Sequence, residues 1–112
     1  MSDCIFCKLA SHEIPTDVVY EDDRFFAFRD MNPQAPVHIL VIPKRHFASV
    51  ADGVPSDVLG GLLETAVKVA RQAGVADDGF RLIMNTGENA GQTVRHLHCH
   101  VLGGVKMDEG LL

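Results

Sequence analysis

Seven residues, His96-Leu97-His98-Cys99-His100-Val101-Leu102, restrict the fold more than any other stretch of the chain. Read as a strand, with side chains alternating between faces, they put His96, His98 and His100 on one side. Leu97, Cys99 and Val101 point the other way, where an apolar core accepts them. At a strand's rise, successive rings lie roughly 6–7 Å apart. Imidazoles that close repel one another when protonated, and partial burial adds to the cost of charge. Both effects favour neutral rings, the form that attacks phosphorus, accepts protons and binds metals. The stretch therefore demands a sheet with one apolar face and one face fit for chemistry.

A chain of 112 residues, 46% of them hydrophobic, suffices for a single domain over 1–112 with a modest core. The formal charge of −5 argues against a nucleic-acid backbone or an anionic membrane as the main partner. A small nucleotide is compatible with it, because that needs only a local pocket of donors. No apolar run is long enough to span a bilayer, and Met1-Ser2-Asp3-Cys4 lacks the basic-then-apolar pattern of a signal peptide. Three cysteines, an odd number, do not make a disulfide framework, so a reducing cytoplasm is the expected compartment.

Cys4-Ile5-Phe6-Cys7 admits three readings. Redox chemistry of the thioredoxin kind lacks a preceding strand. The pair is otherwise two buried thiols, or half of a zinc site completed by histidines from elsewhere. His46, after Pro43-Lys44-Arg45, is the best outside candidate; His12 reads as a surface residue. Val18–Glu21 and Phe25–Phe28 form a hairpin turned by Asp22-Asp23-Arg24. A loop stiffened by Pro33 and Pro36 leads into a strand from Val37 to Ile42, apolar on both faces except at His38, as in a covered central strand. His38 gains a role only if this strand lies beside the histidine row.

Over Val54–Ala73 the apolar period becomes helical, with Pro55 in the first turn, Ser56 and Asp57 near the free amides, and Gly74 as the stop. This helix carries no chemistry and covers a sheet; Gly60-Gly61 within it marks close packing, against this chain or a second subunit. Phe80–Asn85 is the next strand. The loop from Thr86 to Arg95 is polar and bendable, able to turn several N–H groups and a hydroxyl towards one anion.

A phosphate held by that loop would lie within reach of an imidazole. A neutral ring can form a covalent phosphoryl intermediate that water resolves, given donors for the phosphate oxygens and a proton for the leaving group. His98, with a histidine on each side, is the nucleophile candidate. Thr93 and the amides around Gly91 and Gln92 could hold the phosphate, and His100 or His38 could relay a proton. The same row could instead ligate a metal. Spacing does not separate the two.

The histidine row resembles the His-φ-His-φ-His-φ-φ motif that defines the histidine-triad superfamily, where φ is apolar. Asp30–Lys44 and Gly91-Gln92-Thr93-Val94 resemble its branch of small nucleotide-binding phosphoramidases, and the likeness covers nearly the whole chain. It implies an α+β fold: a twisted antiparallel sheet of about five strands with one main helix, in a homodimer. It also implies hydrolysis of the bond between a purine nucleotide's α-phosphate and its leaving group. By the same resemblance His98 becomes nucleotidylated, His38 and His100 assist, and Asn85, Gln92 and Thr93 contact ribose or phosphate. Phe6, Ile14, Phe28, Asp30 and Met31 match the base and ribose pocket. Thr93 stands where serine is commoner and keeps the hydroxyl.

In similar proteins with a C-x-x-C start, Cys4, Cys7, His46 and His96 would hold one structural zinc, a closed four-ligand site apart from catalysis, which needs no cofactor. That makes His96 a ligand rather than an active-site neighbour. The branch often ends in a tail with tryptophan and prolines that selects substrate; this chain has no tryptophan, which leaves the leaving group open. Two rival functions share these residues: a dinucleoside polyphosphate hydrolase or phosphorylase, and a non-catalytic, zinc-stabilised nucleotide-binding module.

Overall fold

The computed structural model describes residues 3–110; Met1, Ser2, Leu111 and Leu112 of the expected domain lie outside the described residues. Helix α1 spans Ile5–Ala10, followed by strands β1 (Val18–Glu21), β2 (Phe25–Arg29) and β3 (Val37–Pro43). Helix α2 (Ser56–Gln72), strand β4 (Phe80–Ile83), a short 3-10 turn (Glu88–Ala90) and strand β5 (Cys99–Gly103) complete the order. The strands form one antiparallel sheet in the order β1-β2-β3-β5-β4. One five-stranded sheet with one main helix is the architecture expected from the sequence. Among the described residues, no helix is long and apolar enough to cross a membrane.

Each face of the sheet has its own core. Ala27, Ile39, Val41, Cys99 and Val101 face α2, which contributes Leu62, Ala66, Val69 and Ala70. Burying Leu62 or Val69 fully is worth about 2 kcal/mol each. On the opposite face Phe26, Phe28, Leu40 and Ile42 pack against Phe6, Leu9 and Ala10 of α1. Strand alternation thus feeds both layers from β2 and β3, while β5 gives Cys99 and Val101 to the α2 side.

The long helix starts and stops within two residues of its sequence pattern. Pro55 is the residue just before the first turn, extended at φ −60°, ψ 147°, and supplies no side-chain cap. Asp57 instead pairs with Arg24 of the hairpin turn at 3.3 Å. Gly61 makes the close contact its sequence suggested, and makes it inside this chain: a Cβ there would lie 2.6 Å from the Phe25 ring. Gly60 has nothing within 4 Å of such a Cβ.

Two elements depart from the sequence pattern. Helix α1 was not foreseen: six residues are too few to show a period, and the turn is closed by the Cys4 Sγ, which accepts from the Cys7 N–H at 3.3 Å. Hydrogen-bonded pairing of β5 begins only at Cys99. His96 to His98 run ahead of it, and the facing alternation holds, with Leu97 in the α2-side core.

Candidate active site and metal-binding cluster

Pairing of β3 with β5 sets Leu40 opposite His100 and His38 opposite Leu102. His38 and His100 are therefore diagonal neighbours on one face, within side-chain reach. His38 Nε2 and His100 Nδ1 lie 2.9 Å apart, and the rings of His98 and His100 have centroids 5.1 Å apart. The condition for a role of His38 is met: its strand adjoins the row.

The hydrogen bonds fix where each proton sits. A backbone carbonyl only accepts, so the 2.7 Å contact of His98 Nδ1 with the His96 oxygen puts the His98 proton on Nδ1. Its Nε2 keeps the lone pair. A backbone N–H only donates, and that of Gln34 reaches His38 Nδ1 at 3.0 Å. His38 then carries its proton on Nε2, donates it to His100 Nδ1, and leaves the His100 proton on Nε2. Two rings in van der Waals range therefore present opposite functions: a bare nitrogen on His98, a donor on His100.

Asp30 Oδ2, His38 Nε2 and His100 Nδ1 are close enough to share a cation. Tautomers oppose it. A metal on His38 Nε2 would move that ring's proton to Nδ1, against the Gln34 N–H. Asp30 instead lies 3.4 Å from His38 Nε2 and caps its own turn by accepting from the Asn32 N–H at 2.8 Å.

A second cluster contains Cys4, Cys7, His46 and His96. His96 Nε2 donates to the Pro43 oxygen at 2.8 Å, which leaves the Nδ1 lone pair facing the other three. That atom is 3.3 Å from Cys4 Sγ, 3.5 Å from Cys7 Sγ and 3.2 Å from His46 Nδ1; Cys7 Sγ is 3.4 Å from His46 Nδ1. Around a tetrahedral ion with Zn–N and Zn–S bonds of ordinary length, such atoms would be about 3.3–3.8 Å apart. Two thiols and two imidazoles are also the donor set that zinc prefers. These residues fit a metal.

Residues 11–107 match the HIT domain family. This chain belongs to that family. It is 50% identical over 102 residues to the purine nucleoside phosphoramidase of Escherichia coli K12, covering 89% of this chain and 86% of the relative. It is 49% identical over 115 residues to the 14 kDa zinc-binding protein of Brassica juncea, covering 95% and 96%. A solved HIT family hydrolase from Clostridium thermocellum superimposes with a TM-score of 0.94 at 46% identity, covering 100% of this chain and 99% of that one. The histidine-triad resemblance read from the motif is met in family and fold, and the relatives' enzyme names agree with the expected enzyme class.

Against this HIT frame, the other site residues expected from sequence are unevenly placed. Phe6 packs edge-on against the His98 ring, centroids 5.1 Å apart, and against Phe28 at 5.4 Å. Ile14 joins the same cluster. Met31 is 95% exposed. Asn85 is half-buried two residues beyond β4, which ends at Ile83, short of the expected Asn85, and Gly91 ends the 3-10 turn at φ 78°, a left-handed conformation suited to glycine. Thr93 lies with Ile5, Val94 and Arg95 along a cavity of about 480 Å³ that also touches Cys4 and His46. Gln92 is buried, and its amide braces the loop: Nε2 donates to the oxygens of Ala48 and Val94 at 2.7 and 3.0 Å, and Oε1 accepts from the Gly87 N–H at 2.9 Å.

Sequence reasoning missed the backbone groups that set the tautomers, the Gln34 N–H and the carbonyls of Pro43 and His96. No residue type signals them, since any residue supplies such a group. His12 is exposed, as its sequence context suggested; its Nε2 contacts Glu21 at 2.9 Å and its ring packs edge-on against Phe26.

Burial dominates the electrostatics. It pushes His100 down to about 4, with the neighbouring His98 and His38 rings adding to the effect. It lowers His38 too, against a smaller opposing pull from Asp30. Burial also pushes Cys99 up to about 11, an inert core thiol, and Cys7 to about 11, helped by Cys4. Because His100 is harder to protonate when folded, the unfolded chain binds more protons between its ordinary 6.5 and about 4. Stability therefore rises with pH across that window, is fully present above it, and is lost on acidification. The urea midpoint should fall from about pH 7 to about pH 4.5, and His100→Asn should flatten the decline. Equal slopes in both proteins would contradict this assignment.

Proposed function

We propose that this chain hydrolyses purine nucleoside phosphoramidates to the nucleoside monophosphate and an amine, through a nucleotidyl group held on His98. The observation that carries the reading is the 2.7 Å contact of His98 Nδ1 with the His96 carbonyl, which places the proton on Nδ1 and leaves Nε2 as a fixed nucleophile. In the first step Nε2 forms a bond to the α-phosphorus and the phosphorus–nitrogen bond breaks. The amine leaves with that electron pair and takes a proton from water. His100, with its proton on Nε2, donates to a phosphate oxygen and offsets the developing charge. In the second step water attacks phosphorus, the bond to Nε2 breaks, its electron pair returns to the ring, and the surplus proton goes to solvent.

His38 fixes the tautomer of His100 and, with Asp30, steadies it. Phe6, Ile14 and Phe28 supply an apolar wall for the base, beside Asp30 and Met31. Asn85, Gly91 and Thr93 serve ribose and phosphate, on a loop that Gln92 holds in shape. Likeness to a purine nucleoside phosphoramidase, 50% identical over 89% of the chain, supports this substrate class. The test is turnover of adenosine phosphoramidate beside diadenosine tetraphosphate, with mass spectrometry of quenched enzyme. Faster cleavage of the dinucleotide would replace the substrate class, and no adenylyl mass on His98 under rapid quench would sink the covalent step.

Zinc is the metal we assign to Cys4, Cys7, His46 and His96. All four positions would be filled by protein, so the ion orders the N-terminal arm and offers no place to substrate. A homodimer is proposed with it: β4 ends the sheet, and its outer edge is where a second copy could continue the pairing. Sedimentation at micromolar concentration should give twice the chain mass; a monomer there would remove the dimer.

A further inference from the structure

The metal-binding cluster and the nucleophile share one peptide group. Between His96 and Leu97, the carbonyl accepts from His98 Nδ1 at 2.7 Å, and the N–H donates to the Phe47 oxygen at 2.7 Å. Phe47 directly follows His46. Of the two histidines of the metal cluster, His46 thus stands beside one end of a single chain of hydrogen bonds and His96 supplies a link within it: Phe47 oxygen, Leu97 N–H, His96 oxygen, His98 Nδ1–H. An amide that donates on one side is polarised into a better acceptor on the other.

His96 itself has little freedom. Its Nε2 is tied to the Pro43 oxygen, its Nδ1 faces the ligand cluster, and the residue is fully buried. The remaining two ligands flank Phe6 on α1, and the Phe6 ring touches both His96 and His98, with centroids 6.0 and 5.1 Å away. No step of the reaction needs this cluster, yet each of its ligands is within two residues of a group that touches, or bonds to, the nucleophile's support.

We propose that His46 and His96 are positioning residues: joined through one metal ion, they hold segments 46–47 and 96–97 together so that the His96 carbonyl locks His98 in its Nδ1-protonated, Nε2-reactive form. Metal loading then sets the rate of the chemical step as well as the stability of the fold. This rests on the zinc assignment above, and the experiment separates the two.

Protein saturated with zinc and the same protein stripped by chelator are compared well below the melting temperature. Metal content, turnover of adenosine phosphoramidate and long-range proton–nitrogen correlations of ring-labelled histidines are followed together. The loaded protein should show one His98 tautomer, protonated at Nδ1. The stripped protein should show mixed tautomers and a kcat at least about tenfold lower, and zinc should restore both. Zinc uptake with an unchanged His98 signal and kcat within twofold would overturn the positioning role and leave the zinc site standing. Failure to take up zinc at all would overturn both.

If stripped protein does not fold, His96→Cys in the zinc-saturated protein replaces the comparison. That side chain keeps a fourth ligand and shortens the link between ion and backbone. Retained zinc with a tenfold fall in kcat and a disturbed His98 tautomer is expected; retained zinc with unaltered kcat and tautomer would overturn the proposal.

Discussion

His98→Ala should lower turnover of adenosine phosphoramidate by about 10⁴-fold or more while the protein still binds adenosine monophosphate. Removing a covalent nucleophile costs on that order, because partners arranged around it have nothing left to assist. Binding should survive because the proposed pocket draws on Phe6, Ile14 and Phe28, which are held by their own cluster. His98 fills little of the apolar core, so the variant should fold. Steady-state turnover and calorimetric titration with the monophosphate check this side by side. Two proteins of equal activity would show that the bare nitrogen is not the reacting atom. Loss of binding along with activity would mean the ring holds the phosphate.

Cys4→Ser combined with Cys7→Ser should remove the metal and lower the melting temperature by about 10 °C or more. Anything bound only by the folded state stabilises it by mass action, about 4 kcal/mol at a thousandfold excess over the dissociation constant. For a domain of this size, each kcal/mol moves the melting temperature by about 4–8 °C. Helix α1 is short, and the Cys4 sulfur also closes its first turn, so its attachment depends on the cluster more than on its own helicity. Elemental analysis and thermal melting of protein purified without added zinc provide the check. An unaltered protein without metal, melting like the double variant, would end the assignment.

The sheet and the long helix were legible because each shows its period over enough residues. The hairpin at Asp22-Asp23-Arg24, the doubly apolar strand around Ile39 and the stripe from Val58 to Ala70 all follow from side-chain type. The triad was legible for the same reason, as alternation along one segment. Helix α1 was not, since its capping bond comes from a sulfur and its stability from the face of β2 and β3 on which it packs. Nor could residue types reveal the division of labour among the histidines. That division depends on which backbone group each ring meets: a carbonyl at His98, an N–H at His38, a carbonyl at His96. Gln92 illustrates the same limit: that its side-chain amide also braces the loop, through Gly87, Ala48 and Val94, is not visible in its residue type.

The two cores fed from one sheet bear on how such a chain can vary. Between His96 and Leu102 every second side chain belongs to a different layer, and β5 is flanked on both sides by strands in fixed register. Gaining or losing one residue there would exchange the layers, driving imidazoles under α2 and turning Leu97, Cys99 and Val101 towards the substrate. The preceding loop from Thr86 to Arg95 has no such parity, so outside the turn that Gln92 braces a change of length there exchanges no layers. Descendants of this sequence are therefore free to remodel the rim of the site, while its floor can change only by substitution, one residue for one.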